Sequence, residues 1–410
     1  MKWIRARSAS LASIALVLCL SFPVAGLSLE HEQEVDYSKL RIDTDGFNAA
    51  QRCGECHIDI YALWSNSMHA KAWEDPAFFA TYIDERIQGD ERIRSYCIQC
   101  HAPTLHYNPA LSTDSPVVKE GVTCDFCHSV QEVDTDNTSK PFKVQWGKLK
   151  RGPYKDSESP VHQTKSAPFF ADGTLCGGCH EMLNLKGLPI ITTYSEWKEG
   201  YRAAGNPASC PDCHMPLAAG FTVSSKFRKT KRRLNLHSFP GGHSRVQLLD
   251  ALELEVLDET KLYGKMKVKL GLTNVGAGHN IPTGNPLRKV IVDFNVYSAL
   301  NRRIYNEQVE ISRKYADADG NILTSDLDIL LEASKVVKDN RIAPGETKEI
   351  TFEFLAPNER LLVETNVIYV YENDAFPNLR REEKLIHFTK VVNKGPLVKA
   401  VEDRQLVRDE

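Results

Sequence analysis

The later part of the chain alternates strictly between apolar and polar positions. Residues 252–256, 265–272 and 350–354 place an apolar side chain at every second position, with glutamate, lysine, threonine or glycine between. Successive side chains of a strand face opposite sides, so this pattern predicts half-buried strands. With LRKVIVDFNVY, LLVETNVIYVY, EKLIHFTKVV and the turn APGET, the pattern predicts an immunoglobulin-like β-sandwich over residues 246–395.

An earlier segment, CGECHIDIYALWSNSMHA (residues 53–70), follows a different period. Ile60, Leu63, Trp64 and Met68 recur at three- and four-residue spacing, which predicts a helix leaving the first cysteine pair. Twelve residues of helix would separate His57 from His69 by about 18 Å, because each residue rises 1.5 Å. Two histidines so placed cannot bind one metal ion from opposite sides, so we expect His69 to serve a different site.

The N-terminus predicts an export signal over residues 1–26. Lys2, Arg5 and Arg7 precede an apolar run at 11–20, and small residues at 24–26 suit a signal peptidase. A retained anchor is the alternative. No later stretch approaches about 20 uninterrupted apolar residues, so we expect no transmembrane segment in the mature chain and a location in the periplasm or the cell exterior.

Length and charge narrow the class. A chain of 410 residues is long for one core, so we expect a domain at 27–245, the sandwich at 246–395 and a tail at 396–410. The formal charge of −3 gives no reason to expect a nucleic-acid partner.

The cysteines indicate the chemistry. Ten of the eleven fall in five CxxCH motifs, and the other, Cys19, lies in the predicted signal. This motif attaches c-type haem, with the thiols bonded to the vinyl groups and the histidine as proximal iron ligand. The motifs are Cys53, Cys56, His57; Cys97, Cys100, His101; Cys124, Cys127, His128; Cys176, Cys179, His180; and Cys210, Cys213, His214.

Other interpretations of these cysteines are weaker. Structural zinc usually takes four ligands from paired motifs, and five such sites in an exported chain would be unusual. Disulfides would not explain a histidine after every second cysteine. We therefore predict five covalently attached haems.

Each iron has a sixth position that can be filled or open. A second histidine closes the iron for electron transfer, whereas an open position permits chemistry. Eight histidines lie outside the motifs, of which His31 and His387 read as bystanders. The candidate distal ligands are His69, His106, His162, His237, His243 and His279.

The haem motifs carry a family resemblance. The pattern CxxCHxxxYxxWxxSxHA at 53–70, with GVTCDFCH at 121–128 and CPDCHMP at 210–216, resembles the tetrahaem cytochromes that accept electrons from hydroxylamine oxidoreductase. The resemblance covers about residues 47–245 and implies a largely helical, loop-rich domain with stacked haem pairs. It also implies that Cys53, Cys56 and His57 attach the first haem and that His69 is a distal ligand for another. The chain departs from that family in having five motifs and a second domain.

An α+β multidomain electron carrier is the leading hypothesis from these patterns. It would relay respiratory electrons between a donor and an acceptor protein. One alternative is a reductase or oxidase of a small nitrogen or sulfur compound at a five-coordinate haem, which the absence of a CxxCK motif disfavours. Another is self-assembly into an extracellular cytochrome filament.

Three further segments invite simple interpretations. Asp317, Asp319 and Asn321 could bind calcium, although a turn is the more usual role of such a run. The basic run KFRKTKRR at 226–233 suits haem propionates or an acidic partner. The polar segment 130–165 predicts a long surface loop.

Overall fold

The computed structural model describes Ile42 and residues 45–224 and 234–392, all within one compact unit. The predicted signal with Cys19, together with His31, the basic run and the tail, lies outside the described residues. The unit is α+β, with short helices before residue 250 and long antiparallel strands after it.

Short helices form the first part, and several begin at an aspartate. Asp75, Asp84 and Asp90 accept hydrogen bonds from the free backbone N–H groups at the start of α3, α4 and α5. A π-helix, Glu196–Arg202, directly follows α10. Helices α1 to α12 are Ala50–Gly54, Ile58–Ser65, Pro76–Tyr82, Glu85–Gln88, Glu91–His101, Pro103–Tyr107, Pro116–Lys119, Cys124–Ser129, Thr174–Gly177, Thr193–Ser195, Cys210–His214 and Arg245–Leu249.

The helix predicted after the first cysteine pair is shorter than expected. Helix α2 ends at Ser65, before Met68 and His69. Ser65 Oγ and Asn66 Nδ2 both donate to the carbonyl of Ala62, at 3.1 and 3.0 Å. Side chains that bond the backbone in this way compete with continued helix, so the chain turns before it reaches His69.

The predicted surface loop at 130–165 is wrong in part, because it contains four short strands. Val130 and Phe142, which belong to β1 and β2, are buried in the core beside Phe126. The partly buried Val133 and Val144 pack on the same core, so four apolar residues hold this hairpin in an otherwise polar segment. Strands β1 to β8 are Val130–Val133, Phe142–Val144, Leu149–Gly152, Gln163–Ser166, Met182–Leu183, Pro189–Ile191, Leu217–Ala218 and Leu234–Asn235, and they pair two by two.

Between residues 250 and 392 the structure describes nine strands, one α-helix and a 3-10 helix, Pro377–Leu379, and the alternating segments lie in strands as predicted. Strands β9, β10 and β15 form a three-stranded sheet in the order β15-β10-β9. The other sheet has the order β13-β12-β11-β16-β17, with β14 also paired to β12. Strands β9 to β17 are Leu252–Leu262, Lys265–Asn274, Arg288–Tyr297, Arg303–Ala316, Ile322–Leu323, Lys335–Asp339, Thr347–Leu355, Leu361–Tyr371 and Arg381–Val392, and α13 is Asp326–Glu332.

The two sheets share one apolar core. Phe294 of β11 and Phe352 of β15 stack with ring centroids 4.1 Å apart and are both fully buried. Buried residues of all three strands of the smaller sheet and of β11, β16 and β17 belong to the same cluster. This arrangement explains the period-two pattern; the immunoglobulin-like topology stays a prediction.

A second core joins the later part to the helices. Leu327, Ile329 and Leu330 of α13 pack with the buried residues of the first part. Asn184 Nδ2 donates to the carbonyls of Ile329 and Ala333, at 3.3 and 2.7 Å. Helix α13 therefore fixes the sheets against the helical part, and the domain boundary at 245 stays a prediction.

Two remaining expectations concern a membrane span and calcium. Among the described helices, none has the length and apolar character needed to cross a bilayer. Asp317 accepts from the backbone N–H and the Nδ2 of Asn321, both at 2.8 Å, and so closes a turn. No group of three metal-binding side chains occurs in residues 45–224 and 234–392.

Candidate haem-binding site

All five CxxCH motifs begin or lie on short helical turns. In α8 and α11 the whole motif is helical, and in α5 it forms the last turn. Residues three apart share a face of a helix, so both thiols of a motif point to the same side. This is the presentation that two thioether bonds to one planar ring require.

One cavity runs past every motif. It has a volume of about 2030 Å³ and is lined by all ten motif cysteines and all five motif histidines. Its other histidines are His69, His162, His237, His243 and His279. His106 and His387 do not line it.

Three pairs of imidazoles face each other at one spacing. The ring centroids of His57 and His162 are 6.4 Å apart, and those of His69 and His180 and of His214 and His279 are 6.3 Å apart. A metal–imidazole bond is about 2.0 Å and the ring centre lies about 1.1 Å beyond the nitrogen, so two axial rings have centres about 6 Å apart. Each pair therefore has room for one iron between its rings.

Backbone carbonyls fix the tautomer of most of these rings. Nδ1–H of His101 donates to Ala72 O at 2.8 Å, that of His128 to Arg151 O at 2.5 Å and that of His214 to Pro240 O at 2.5 Å. His57 makes the same bond to Thr222 O. A carbonyl can only accept, so Nδ1 keeps the proton and Nε2 is left with a lone pair for a metal.

The distal candidates His162, His237 and His279 have the same arrangement. Their Nδ1–H groups donate to the carbonyls of Gln163, Asn235 and Asn280, at 3.2, 2.7 and 3.0 Å. Burial lowers the pKa of each of these three rings. The rings are therefore neutral near pH 7, which is the form that binds metal.

Burial has a large effect on the pKa of three cavity rings, those of His69, His180 and His128. Burial, followed by nearby histidines, lowers the pKa of His69 to about 3 and that of His180 to about 4. Burial also lowers the pKa of His128 to about 4, and among the histidines His237 contributes most to that shift. The role of His237 as the distal ligand opposite His128 stays a prediction.

His101 and His243 differ from the other cavity histidines. Phe78 stacks on the His101 ring with centroids 3.8 Å apart, and the structure records no facing imidazole for His101 among the described residues. His243 Nδ1 lies 2.7 Å from Arg381 Nη1, which can only donate. Neutral His243 therefore carries its proton on Nε2, which is the wrong tautomer for binding iron through that nitrogen. No pattern in the sequence indicated that Phe78 would stack on His101 or that Arg381 would bind His243.

His106, predicted as a distal candidate, lies outside the cavity. Its Nδ1 is 3.2 Å from Ser95 Oγ, and its ring packs edge-on against Tyr107. His106 lies on the short helix α6, Pro103–Tyr107. These contacts place His106 apart from the cavity that the five motifs line, and its role as a distal ligand stays a prediction.

This placement predicts an acid-dependent loss of stability through His106. Burial, then Lys140, lowers its pKa from about 6.5 to about 4, so the unfolded chain binds more protons in that interval. The contribution of neutral His106 to the free energy of unfolding is complete above pH 6.5 and is lost as the pH falls towards 4. Between pH 7 and pH 4 the free energy of unfolding should fall more in the parent than in the His106→Gln variant. The difference, discounted for partial exposure, should be on the order of 1–2 kcal/mol. Urea unfolding of both proteins measures this, and equal pH dependence would contradict it.

The motifs touch one another in a definite order. The thiol of Cys53 lies close enough to that of Cys124, and the thiol of Cys176 to that of Cys210, for each pair to shift one another's pKa. Cys100 Sγ lies 3.9 Å from the carbonyl of Cys179. Cys127 lies close enough to both cysteines of the fourth motif, Cys176 and Cys179, to raise the pKa of each thiol. The third motif therefore lies between the first and the fourth, and the second and fifth adjoin the fourth.

A known structure shares this fold over most of its length. The chain is similar to a penta-heme cytochrome c552 from Thermochromatium tepidum, with a TM-score of 0.68 and 22% identity, covering 84% of this chain and 99% of that chain. A putative ApaA protein from Bordetella pertussis gives a TM-score of only 0.19 over 34% of this chain, with 16% identity and 90% of that chain covered, and carries no argument. No curated protein matches the chain.

The fold that carries the thiol-lined cavity is thus similar to that of a multihaem c-type cytochrome. Within that class, residues 52–129 match the family model described as cytochrome c554 and c-prime. The matched residues include the first three motifs and His69.

Proposed function

We propose that the chain attaches one haem at each of its five motifs and relays electrons through them between two redox proteins. The observation that carries the proposal is the set of three imidazole pairs whose ring centroids lie 6.3 to 6.4 Å apart in one cavity. Bound haem supplies reversible one-electron chemistry. The chain supplies neutral imidazoles, fixed in orientation, and an apolar enclosure.

The proposed axial pairs are His57 with His162, His69 with His180, and His214 with His279. His237 is assigned to His128 because it is the remaining cavity histidine that acts on that ring. Two imidazoles on one iron leave no position for a substrate, which favours electron transfer over catalysis. The contacts between motifs support a path from the first through the third to the fourth, and from there to the second and fifth.

Export, partners and assembly belong to the same proposal. The N-terminal pattern supports export to the periplasm or the cell exterior, and the sandwich at 246–395 would serve docking or assembly. The donor and the acceptor are expected to be other redox proteins. Filament formation stays a separate prediction; a periodic polymer in electron micrographs would support it, and a monomer at every concentration would exclude it.

A second function has one observation in its favour. His101 has Phe78 on its face, and His243, the cavity histidine left without a partner ring, is held by Arg381 in a tautomer that does not suit iron. An iron bound to His101 alone would have an open position. The chain would then act as a reductase or oxidase of a small nitrogen or sulfur compound at that haem.

Electron paramagnetic resonance of the oxidised, haem-loaded protein separates the two functions. Only low-spin signals, unchanged by nitrite or hydroxylamine, are expected of a relay. A high-spin signal that shifts with either ligand would favour the enzyme.

The His243→Ala variant adds a matched test at the second motif. If His243 is a ligand, its removal creates a high-spin signal absent from the parent. If the parent already shows that signal and the variant keeps it, the iron at His101 is open in the natural protein.

A further inference from the structure

A buried carboxylate joins the helical part to the loop that carries His279. The Glu196 side chain is 7% exposed and uses both of its oxygens. Oε1 accepts from Thr192 Oγ1 and Arg341 Nη1, both at 2.6 Å. Oε2 accepts from the backbone N–H of Asn280 at 3.2 Å and from Thr283 Oγ1 at 2.7 Å.

Asn280 links this carboxylate to the imidazole. Its N–H donates to Glu196, while its carbonyl accepts from His279 Nδ1 at 3.0 Å. Glu196 therefore holds the Asn280 N–H in place, and the Asn280 carbonyl in turn orients the His279 ring. The His279 ring lies nearly parallel to His214, with an interplanar angle of 13°.

Glycines bring the loop close enough for this contact. A Cβ at Gly276 would lie 2.0 Å from the carbonyl of Asp250, and one at Gly278 would lie 3.1 Å from the Tyr201 ring. The loop thus lies directly against the π-helix that begins at Glu196. Segments of π-helix often occur at functional sites, where they displace a side chain from its usual helical position.

We propose that Glu196 is a positioning residue that holds His279 in place as the distal ligand opposite His214. The proposal rests on the proposed function, in which His279 binds the haem iron opposite His214. It adds the residue that holds His279 in the position needed for that bond. Through Glu196 the helical part and the sheets together determine whether the fifth iron is closed.

The chemistry of the four partners requires a carboxylate. Arg341 and the Asn280 N–H can only donate, and they contact different oxygens of Glu196. Glutamine offers one oxygen and one NH₂ group, so in either orientation a donor faces a donor. Either the arginine or the His279 loop must then move away.

The Glu196→Gln variant of the haem-loaded protein tests this. We expect one haem of the five to pass from low-spin to high-spin, or to change its reduction potential, while the other signals stay unchanged. Added imidazole should restore the low-spin signal because it replaces the displaced ring. Thr283→Val removes one of the two bonds to Oε2, together with the 2.9 Å contact between the Thr283 and Thr193 hydroxyls, and should give a smaller change at the same haem. It keeps the test available if Glu196→Gln fails to fold.

Asp339→Asn is the matched control. Asp339 binds the other side of Arg341, at 2.9 Å, so the arginine loses one carboxylate while Glu196 keeps its bonds to the loop. This variant should leave every haem as in the parent. An equal effect of Asp339→Asn and Glu196→Gln would indicate a general structural role and overturn the proposal.

His279→Ala distinguishes the two levels of inference. If His279→Ala leaves all haems low-spin, the proposed ligation itself is wrong. If His279→Ala opens one iron but Glu196→Gln changes neither spin state nor potential, the ligation stands and the role of Glu196 is wrong.

Discussion

Replacing His279 with alanine should open one iron and leave the others closed. The facing ring, His214, is held by the carbonyl of Pro240 and does not depend on His279 for its orientation. The loop backbone does not depend on the His279 side chain either, because Asn274 Nδ2 donates to the His279 carbonyl at 2.9 Å and Glu196 accepts from the Asn280 N–H. The substitution therefore removes a ligand without removing its support.

The expected signal is large and specific. About one-fifth of the haem absorbance should acquire high-spin character, and that fraction should bind added cyanide or imidazole. Optical titration together with magnetic resonance measures both effects. His387→Ala is the control, since His387 lies on β17 outside the cavity with Nδ1 2.9 Å from Asn366 Oδ1. An unchanged spectrum in His279→Ala would require a different ligand opposite His214.

Removing the third motif should disconnect the first haem. Cys124 lies beside Cys53, and Cys127 raises the pKa of both cysteines of the fourth motif, so the third motif lies between its two neighbours. The double variant Cys124→Ala with Cys127→Ala is expected to carry four haems. Electrons delivered at the first haem should then reach the rest of the protein much more slowly, because the gap has no redox group in it.

The fifth motif provides the comparison. Cys210→Ala with Cys213→Ala also removes one haem, but from beside the fourth motif, where the path from the first motif is intact. Mass spectrometry counts the haems, and stopped-flow reduction measures transfer between them. Equal slowing in both double variants would show that the contacts between motifs do not define the path.

Sequence patterns predicted much of the chemistry because it depends on local spacing. Two cysteines three residues apart share a helical face in any context, so the motif residues could be assigned before the fold was known. Alternation at residues 350–354 likewise predicted β15. His69 was expected to serve a site other than that of His57, and its ring faces His180, although the helix between them ends at Ser65.

The rest depended on contacts between residues distant in sequence. His106 and His162 look alike as spare histidines, yet only His162 lines the cavity, because the short parallel pair β3–β4 brings it opposite His57. The tautomer of His243 depends on Arg381, which lies 138 residues away. No periodicity or motif encodes such pairings. The sequence could therefore reduce the candidate distal iron ligands to six histidines but could not choose among them.

The facing imidazoles also matter for the unfolded chain. With iron between them, His57 and His162 or His69 and His180 each close a loop of roughly 100 residues, and a cross-link of that size lowers the entropy of the unfolded state by an amount worth about 4–5 kcal/mol. Unlike a disulfide, this cross-link opens when acid protonates the imidazole. The same histidines that would close the irons for electron transfer would thus act as reversible cross-links, and these would add to the resistance to unfolding of a chain with few long helices.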